Sequence, residues 1–358
     1  MSERIPVSHP GVYLLDNIEA LGMTQNEFAI RTGILPKTIN TIINGTSPIT
    51  FDIAYKLSLF FGTSVELWVN LQTAHNMYLI ELEKENHLEE EWEVVKLFKK
   101  DFIEEVCQVK YDAKNKEETI NELRRFFMVS SLKNLQTKEL FSFCRTSVQK
   151  EMDAKQIILR NAWISSAIVK ARDFECSEYD PKKMVEVLPK IKKLMFEKED
   201  IILQSIQEIL KDVGVKFIFL PYLPGSNTSG VTRWISSDNA VLVAVNGCGK
   251  DADKFWFNVF HELGHAYQNK KRYVSITYDL TPNEIIEEEI EANEFAKNHL
   301  IDMGEYNKFI YKYNFSYESI AEFAKKINVP IFIVIGRLQR DKFIPWNKFQ
   351  EYKLKYNF

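Results

Sequence analysis

His261-Glu262-Leu263-Gly264-His265 sets two histidines four residues apart with a glutamate between them, the pattern in this chain most able to do chemistry. On an α-helix, positions four apart are separated by about 6 Å along the axis and about 40° around it. Both imidazoles therefore reach a common point from one face, and Glu262 projects beside them. Two ligands of a tetrahedral zinc ion, with a carboxylate next to the metal-bound water, are arranged in this way. Only six of the 358 residues are histidine, and two of them are here. At that frequency chance supplies the pattern about once in a hundred such chains.

The rest of the helix must hold these groups in place. Trp256, Val259, Leu263 and Tyr267 form an apolar stripe at helical spacing, away from the two histidines. Gly264, inside the helix, costs about 1 kcal/mol relative to Ala, which points to close approach of another backbone or a ligand. A catalytic zinc needs a third protein ligand and an open position. Downstream, Thr281 with Glu284 reads as a capping box and Pro282 fits the first helical position, so a helix starts there. Its apolar face carries Ile285, Ile286, Ala292, Ala296 and Leu300, with Glu289 at the centre and Asn293 one turn on. Glu287, Glu291 and Glu294 point the opposite way and Glu288 sideways. A carboxylate on an apolar face is costly unless it is paired or binds a metal. Glu289 is therefore the expected third ligand, the other reading being a buried Glu paired with Arg or Lys.

Residues from about 150 to 345 resemble the ImmA/IrrE (DUF955-type) family of zinc metallopeptidases. The resemblance rests on Ser229-Gly-Val-Thr-Arg-Trp-Ile235, on the helix from Phe255 to His265, and on Glu289-Ile-Glu-Ala-Asn-Glu-Phe-Ala296. It implies His261, His265 and a Glu of the downstream helix as metal ligands, Glu262 as general base, and a small α+β domain whose members cut, or help remove, transcriptional repressors. The chain departs from the family in running His299-Leu-Ile-Asp302 where many members have an apolar end. In the expected mechanism zinc lowers the pKa of its water, Glu262 takes the proton, and the hydroxide attacks a peptide carbonyl. Tyr267, Tyr273, Arg233 and His299 are the candidates to stabilise the oxyanion. Three strands are expected ahead of the helix, at residues 215–220, 230–235 and 240–245. The one just before the helix is expected to pair with an extended peptide along its edge.

A second signal lies near the N-terminus. From Met23 to Gly45 the chain fits a helix-turn-helix: Thr24 caps the first helix, Ala29 is small where helices cross, Gly33 serves the turn, Pro36 opens the second helix, and Ile39 and Ile42 are buried. An amphipathic helix precedes it (Val12, Leu14, Leu15, Ile18, Leu21) and two follow (Ala54 to Phe61, Val65 to Leu71). Residues from about 8 to 75 thus resemble the XRE/HigA-like five-helix domain. In such modules the second helix enters the major groove. By that template Lys37, Thr38 and Thr41 face bases, and Gln25 and Asn44 face phosphates. Residues 1–70 hold six acids against four bases, so the domain lacks a strongly basic footprint. Binding would then lean on dimer pairing or few contacts, or the motif serves protein contacts.

Composition sets the frame. With 45% apolar residues and a net charge of −4, the chain reads as a soluble globular protein. It shows no signal-peptide pattern and no apolar run long enough to span a bilayer, so a cytoplasmic protein without membrane contact is expected. Cys107, Cys144, Cys176 and Cys248 are scattered and read as free thiols. The expected fold is mainly α: an N-terminal five-helix helix-turn-helix domain (1–75), a helical connector (76–200), and an α+β zincin-like C-terminal domain (201–358). Amphipathic segments fall near 119–129, 137–147, 153–172 and 182–210, and two C-terminal helices flank Asn328-Val-Pro330. The whole reads as a homodimeric DNA-binding regulator carrying a zinc endopeptidase. Its partners would be an operator and a protein substrate, a repressor or the chain itself near residues 105–118. The competing reading is a HigA-like antitoxin or repressor with a cognate toxin as partner and a non-catalytic or sensory metal site.

Overall fold

The structure is a computed structural model that describes residues 6–137, 140, 152–247, 249–268 and 282–358; the side chains of 85–86 and 282–286 are outside that description. Thr281, Tyr273, Cys144, Cys248 and most of segment 137–147 lie outside the described residues, as do the side chains of the capping residue Glu284 and the apolar positions Ile285 and Ile286.

The chain forms two compact units, Met1–Glu90 and Glu91–Phe358. The first holds α1 (Pro10–Ala20), α2 (Gln25–Thr32), α3 (Pro36–Ile43), α4 (Phe51–Phe61) and most of α5 (Val65–Val95). Local chemistry sets these bounds. The Thr24 hydroxyl accepts from the Glu27 amide at 3.2 Å and starts α2. Gly33 ends it at φ 64°, a left-handed conformation that favours glycine. Pro36 then opens α3. Leu14, Ile18, Phe28, Ala29, Ile39, Ile42, Leu57 and Trp68 close the core. Val12 and Leu21 do not join it, being 47% and 52% exposed: α1 buries a narrower stripe than its apolar content implied.

The expected divisions at 75 and 200 do not coincide with these units. Residue 75 falls in mid-helix within α5. The region before 200 is built into the second unit. Glu91, 1% exposed, accepts from Arg124 at 2.6 and 3.0 Å and from the Leu132 amide at 2.8 Å. Losing Arg124 would leave a buried charge uncompensated. Then come α6 (Lys116–Phe127), α7 (Ala154–Arg172), α8 (Pro181–Lys193) and α9 (Glu199–Lys211). Trp163 of α7 donates to the Pro221 carbonyl at 3.1 Å, tying this region to the sheet.

Among the described residues the sheet has three strands, β1 (Val215–Leu220), β2 (Gly230–Ile235) and β3 (Ala240–Asn246), in the order β1-β3-β2. β1 runs parallel to β3 and β2 antiparallel to it. Every residue of β3 is buried, so the strand leading into the histidine helix is central and its hydrogen bonds are spent on both sides. This corrects the expectation of a free edge there; the edge strands are β1 and β2. α10 (Ala252–Tyr267) packs on β2 and β3, and α11 (Pro282–Leu300) packs along α10. α12 (Met303–Ile310), α13 (Tyr317–Lys326) and α14 (Ile331–Arg340) complete the unit. The C-terminal residues strap α10 from outside: the Ala252 amide donates to the Leu354 carbonyl at 3.0 Å and Trp256 Nε1 to the Tyr356 hydroxyl at 2.9 Å. No described helix is long and apolar enough to cross a membrane.

Candidate metal centre

α10 and α11 bring three donors to one point. His265 Nε2 lies 3.1 Å from Glu289 Oε1, His261 Nε2 lies 3.4 Å from Glu289 Oε2, and the two Nε2 atoms are 3.1 Å apart. Donors on a tetrahedron with bonds of about 2.0–2.1 Å stand about 3.3 Å apart, so two imidazole nitrogens and one carboxylate at these separations fit a zinc ion. The helices can come this close because of Gly264: a Cβ there would sit 3.1 Å from Ala292 Cα. Glu287, Glu291 and Glu294 are exposed, as the helical projection placed them. Of the stripe behind the histidines, Trp256, Val259 and Leu263 are fully buried, whereas Tyr267 is half exposed and stacks on Phe295. Packing from the sheet side ends one turn before the helix does.

Outer contacts orient the donors. His265 Nδ1 lies 3.1 Å from Gln268 Oε1. An amide oxygen only accepts, so Nδ1 carries the proton and Nε2 presents its lone pair to the common point. Gln268 Nε2 in turn donates to the Glu288 carbonyl at 2.9 Å and to Glu291 Oε2 at 3.1 Å, tying α10 to α11 beside the donors. His261 stacks on Phe257, and its buried Nδ1 has no hydrogen-bond partner among the described residues.

Glu262 is 1% exposed and faces β2. Its Oε2 accepts from the Thr232 hydroxyl at 2.7 Å. A side chain at Gly230 would overlap its carboxylate, so β2 is shaped around this one residue. Burial pushes the Glu262 carboxyl above the usual range, against the opposing pull of His265, His261 and Thr232. Burial also acts to raise Glu289, but hydrogen bonds from His261 and His265 outweigh it and hold the carboxyl down to about 2. Two neighbouring carboxylates are thus driven in opposite directions, as paired groups with separate tasks require.

A cavity of about 510 Å³ opens at His261 and Glu289 and runs between α10, α11 and α14. Its walls include Leu300 and Ile301, from the stretch where the chain departs from the family pattern. Of the oxyanion candidates, His299 Nδ1 donates to the Phe295 carbonyl at 2.8 Å, and the ring packs on Phe295. Arg233 lies on β2, paired in register with Leu242. Sequence reasoning missed Thr232, Gly230 and Gln268. Thr232 and Gly230 sit inside a matched segment without an assigned role, and Gln268 follows His265 at i+3, a spacing at which two helical side chains meet.

In the N-terminal unit, Lys37 is exposed and Thr38 half-buried in the first turn of α3, and Gln25 opens α2. The Thr41 hydroxyl donates to the Thr38 carbonyl at 2.9 Å, and Asn44, which caps α3, donates to Asn40 Oδ1 at 2.9 Å. Lys37, Thr41 and Asn44, at i, i+4 and i+7, share one face of the helix.

Two family models match the chain. A helix-turn-helix model covers residues 17–68, and an IrrE N-terminal-like domain, of the peptidase class, covers residues 210–339. The uncharacterized HTH-type transcriptional regulator YddM of Escherichia coli is 35% identical over 68 residues, 19% of this chain and 72% of its own length. Antitoxin HigA-1 of Vibrio cholerae is 30% identical over 95 residues, 26% of this chain and 86% of its own. The chain belongs to the HigA-like helix-turn-helix regulators and carries an IrrE-type domain. A HigA-family addiction-module antidote protein of Coxiella burnetii is 32% identical over 24% of this chain and 95% of its own, with a TM-score of 0.23. These matches cover 19%, 26% and 24% of this chain.

Proposed function

We propose that this regulator is a zinc-dependent endopeptidase, with a helix-turn-helix that directs it to an operator. One observation carries the reading: Glu262 is kept buried, with Gly230 and Thr232 shaped around it, immediately beside the His261-His265-Glu289 donors. A site that only stabilised the fold would have no need of a base there. The three donors would hold the zinc, which when bound supplies Lewis acidity toward a carbonyl and a water made acidic enough to react near neutral pH. The chain's own residues do the rest. Gln268 fixes the His265 tautomer, Thr232 holds the Glu262 carboxylate in one orientation, and Glu262 accepts a proton from the attacking water and passes it to the leaving amine. A carboxyl raised by burial suits both halves of that transfer.

Lys37, Thr38 and Thr41 would meet base edges in the major groove, with Gln25 and Asn44 on phosphates. The substrate would be a DNA-bound regulator in the cytoplasm, brought close by a homodimer of the helix-turn-helix domain. Self-cleavage around residues 105–118 is less favoured, because Val106, Cys107 and Val109 are buried and cutting would require local unfolding. The similarity to antitoxin HigA-1 favours a second reading, in which the chain is an antitoxin or repressor with a toxin partner and the metal site senses rather than cuts. The test is a comparison in cells of wild type with Glu262→Gln, under stress and without it. Identical phenotypes and identical protein fragments would overturn the peptidase reading and leave the antitoxin one.

A further inference from the structure

The cavity beside the donors has a charge pattern that catalysis does not use. Asp253, Phe257 and His261, at successive turns of α10, line its floor, and α11 and α14 form its walls. Most of the charges along it are paired: Lys254 with Asp251 at 2.7 Å, Arg337 with Asp341 at 2.6 Å, and Asp253 with Lys353 at 3.0 Å. Lys297 on α11 and Arg340 on α14 also line it, and among the described residues neither has a carboxylate within ion-pair distance. Arg340 is nevertheless held in place. Its guanidinium lies 3.7 Å from the centre of the Phe257 ring, and that ring stacks on His261 with centres 6.0 Å apart. Arg340 is an exposed residue, and desolvation of its guanidinium against the cavity wall lowers the pKa there, with Asp341 pulling the other way. A partly desolvated cation fixed on an aromatic face gains most from an anion brought to it. Phe257 stands one helical turn from His261, about 6 Å along the axis, which an extended peptide covers in about two residues.

We propose that Arg340, assisted by Lys297 across the cleft, is a specificity-determining residue that takes an acidic side chain of a peptide substrate within about two residues of the cleaved bond. The proposal rests on the peptidase reading of the same site. Zinc-loaded full-length protein is incubated with a library of peptides made by chymotryptic digestion of a bacterial proteome, and new termini are read by mass spectrometry. Wild type should enrich Asp or Glu about tenfold at one fixed position near the cut. Arg340→Ala should lose that enrichment, Lys297→Ala should weaken it, and Arg340→Glu should turn the preference to Lys or Arg, all with unchanged zinc content and thermal midpoint. An unaltered preference in Arg340→Ala, or no acidic preference in wild type, overturns the proposal. If wild type cuts nothing, the peptidase reading fails separately, and the pocket is decided by binding. Fluorescein-labelled alanine-rich peptides carrying a single Glu or a single Gln are titrated into Glu262→Gln protein by anisotropy. Tighter binding of the Glu peptide, lost on adding Arg340→Ala, sustains the pocket; equal binding, or none, overturns it.

Discussion

The two functional regions of this protein hold their polar residues in opposite ways. Around the candidate metal centre His261, Glu262 and His265 are 5%, 1% and 1% exposed, and each is held by partners on other elements. On the helix-turn-helix, Lys37 and Asn44 are exposed, and the side chains of Thr41 and Asn44 donate only to the α3 residues Thr38 and Asn40. A buried polar group is expensive without partners, so the fold must commit several residues to it. An exposed one can be exchanged at little cost to the fold, and its meaning lies in a partner. The metal centre should therefore fail in a stepwise, structured way when cut into, whereas the DNA face should lose affinity while the fold stays intact.

The largest effect is expected from the donors themselves. His261→Ala or His265→Ala should abolish zinc retention after dialysis, read by metal analysis. Glu289→Gln should weaken it far more than Gln at 287, 288 or 291. A larger loss at one of those positions would mean that the phase of α11 is wrong. Next comes Glu262→Gln, which keeps shape and removes basicity. Zinc content and thermal midpoint should stay as in wild type, while peptide cleavage falls by about 10²–10⁴-fold, the usual contribution of a general base. An equal loss of zinc would place Glu262 among the ligands.

Gln268→Ala sharpens the contrast at the edge of the site, because it removes no donor. It frees the His265 ring to adopt the wrong tautomer and cuts the tie to Glu288 and Glu291, so zinc affinity should drop about 10–100-fold. Competition with a chromogenic chelator measures it. No change in affinity would mean that the packing of α10 on α11 alone orients the ring.

What the sequence made legible follows the same division. The convergence of Glu289 on His261 and His265 could be read because a helical period and the cost of a buried charge single it out among its neighbouring acids, and Gly264 signalled the contact with α11 that the fold shows. The centrality of β3 was legible in principle: Ala240-Val-Leu-Val-Ala-Val245 is a continuous apolar run, as in strands covered on both sides, and an edge was the wrong inference from it. Val12, Leu21 and Tyr267 mislead because apolar residues are common on protein surfaces. Arg340 and Phe257 could not be brought together by any local pattern, since their contact depends on where α14 docks against α10.

The smallest effects belong to the DNA face. Lys37→Ala should weaken operator binding by about 1–3 kcal/mol if Lys37 meets a base edge, and by a similar amount on every sequence if it meets only a phosphate. Thr41→Ala tests a different point, because its hydroxyl already donates to the Thr38 carbonyl. To donate to a base that bond must break, whereas its methyl group can meet a thymine without any rearrangement. A loss confined to sites with thymine at one position would identify the methyl contact. The measurement is fluorescence anisotropy on a duplex chosen by selection from random DNA, repeated at two salt concentrations, since losing a phosphate contact lowers the salt slope by about one and losing a base contact leaves it unchanged. Neither substitution should shift the thermal midpoint, because Lys37 is exposed and the core of this unit rests on Ile39 and Ile42. If selection enriches no motif, α3 serves a protein partner, and the contrast between a self-contained metal centre and a partner-defined surface still stands with a different partner.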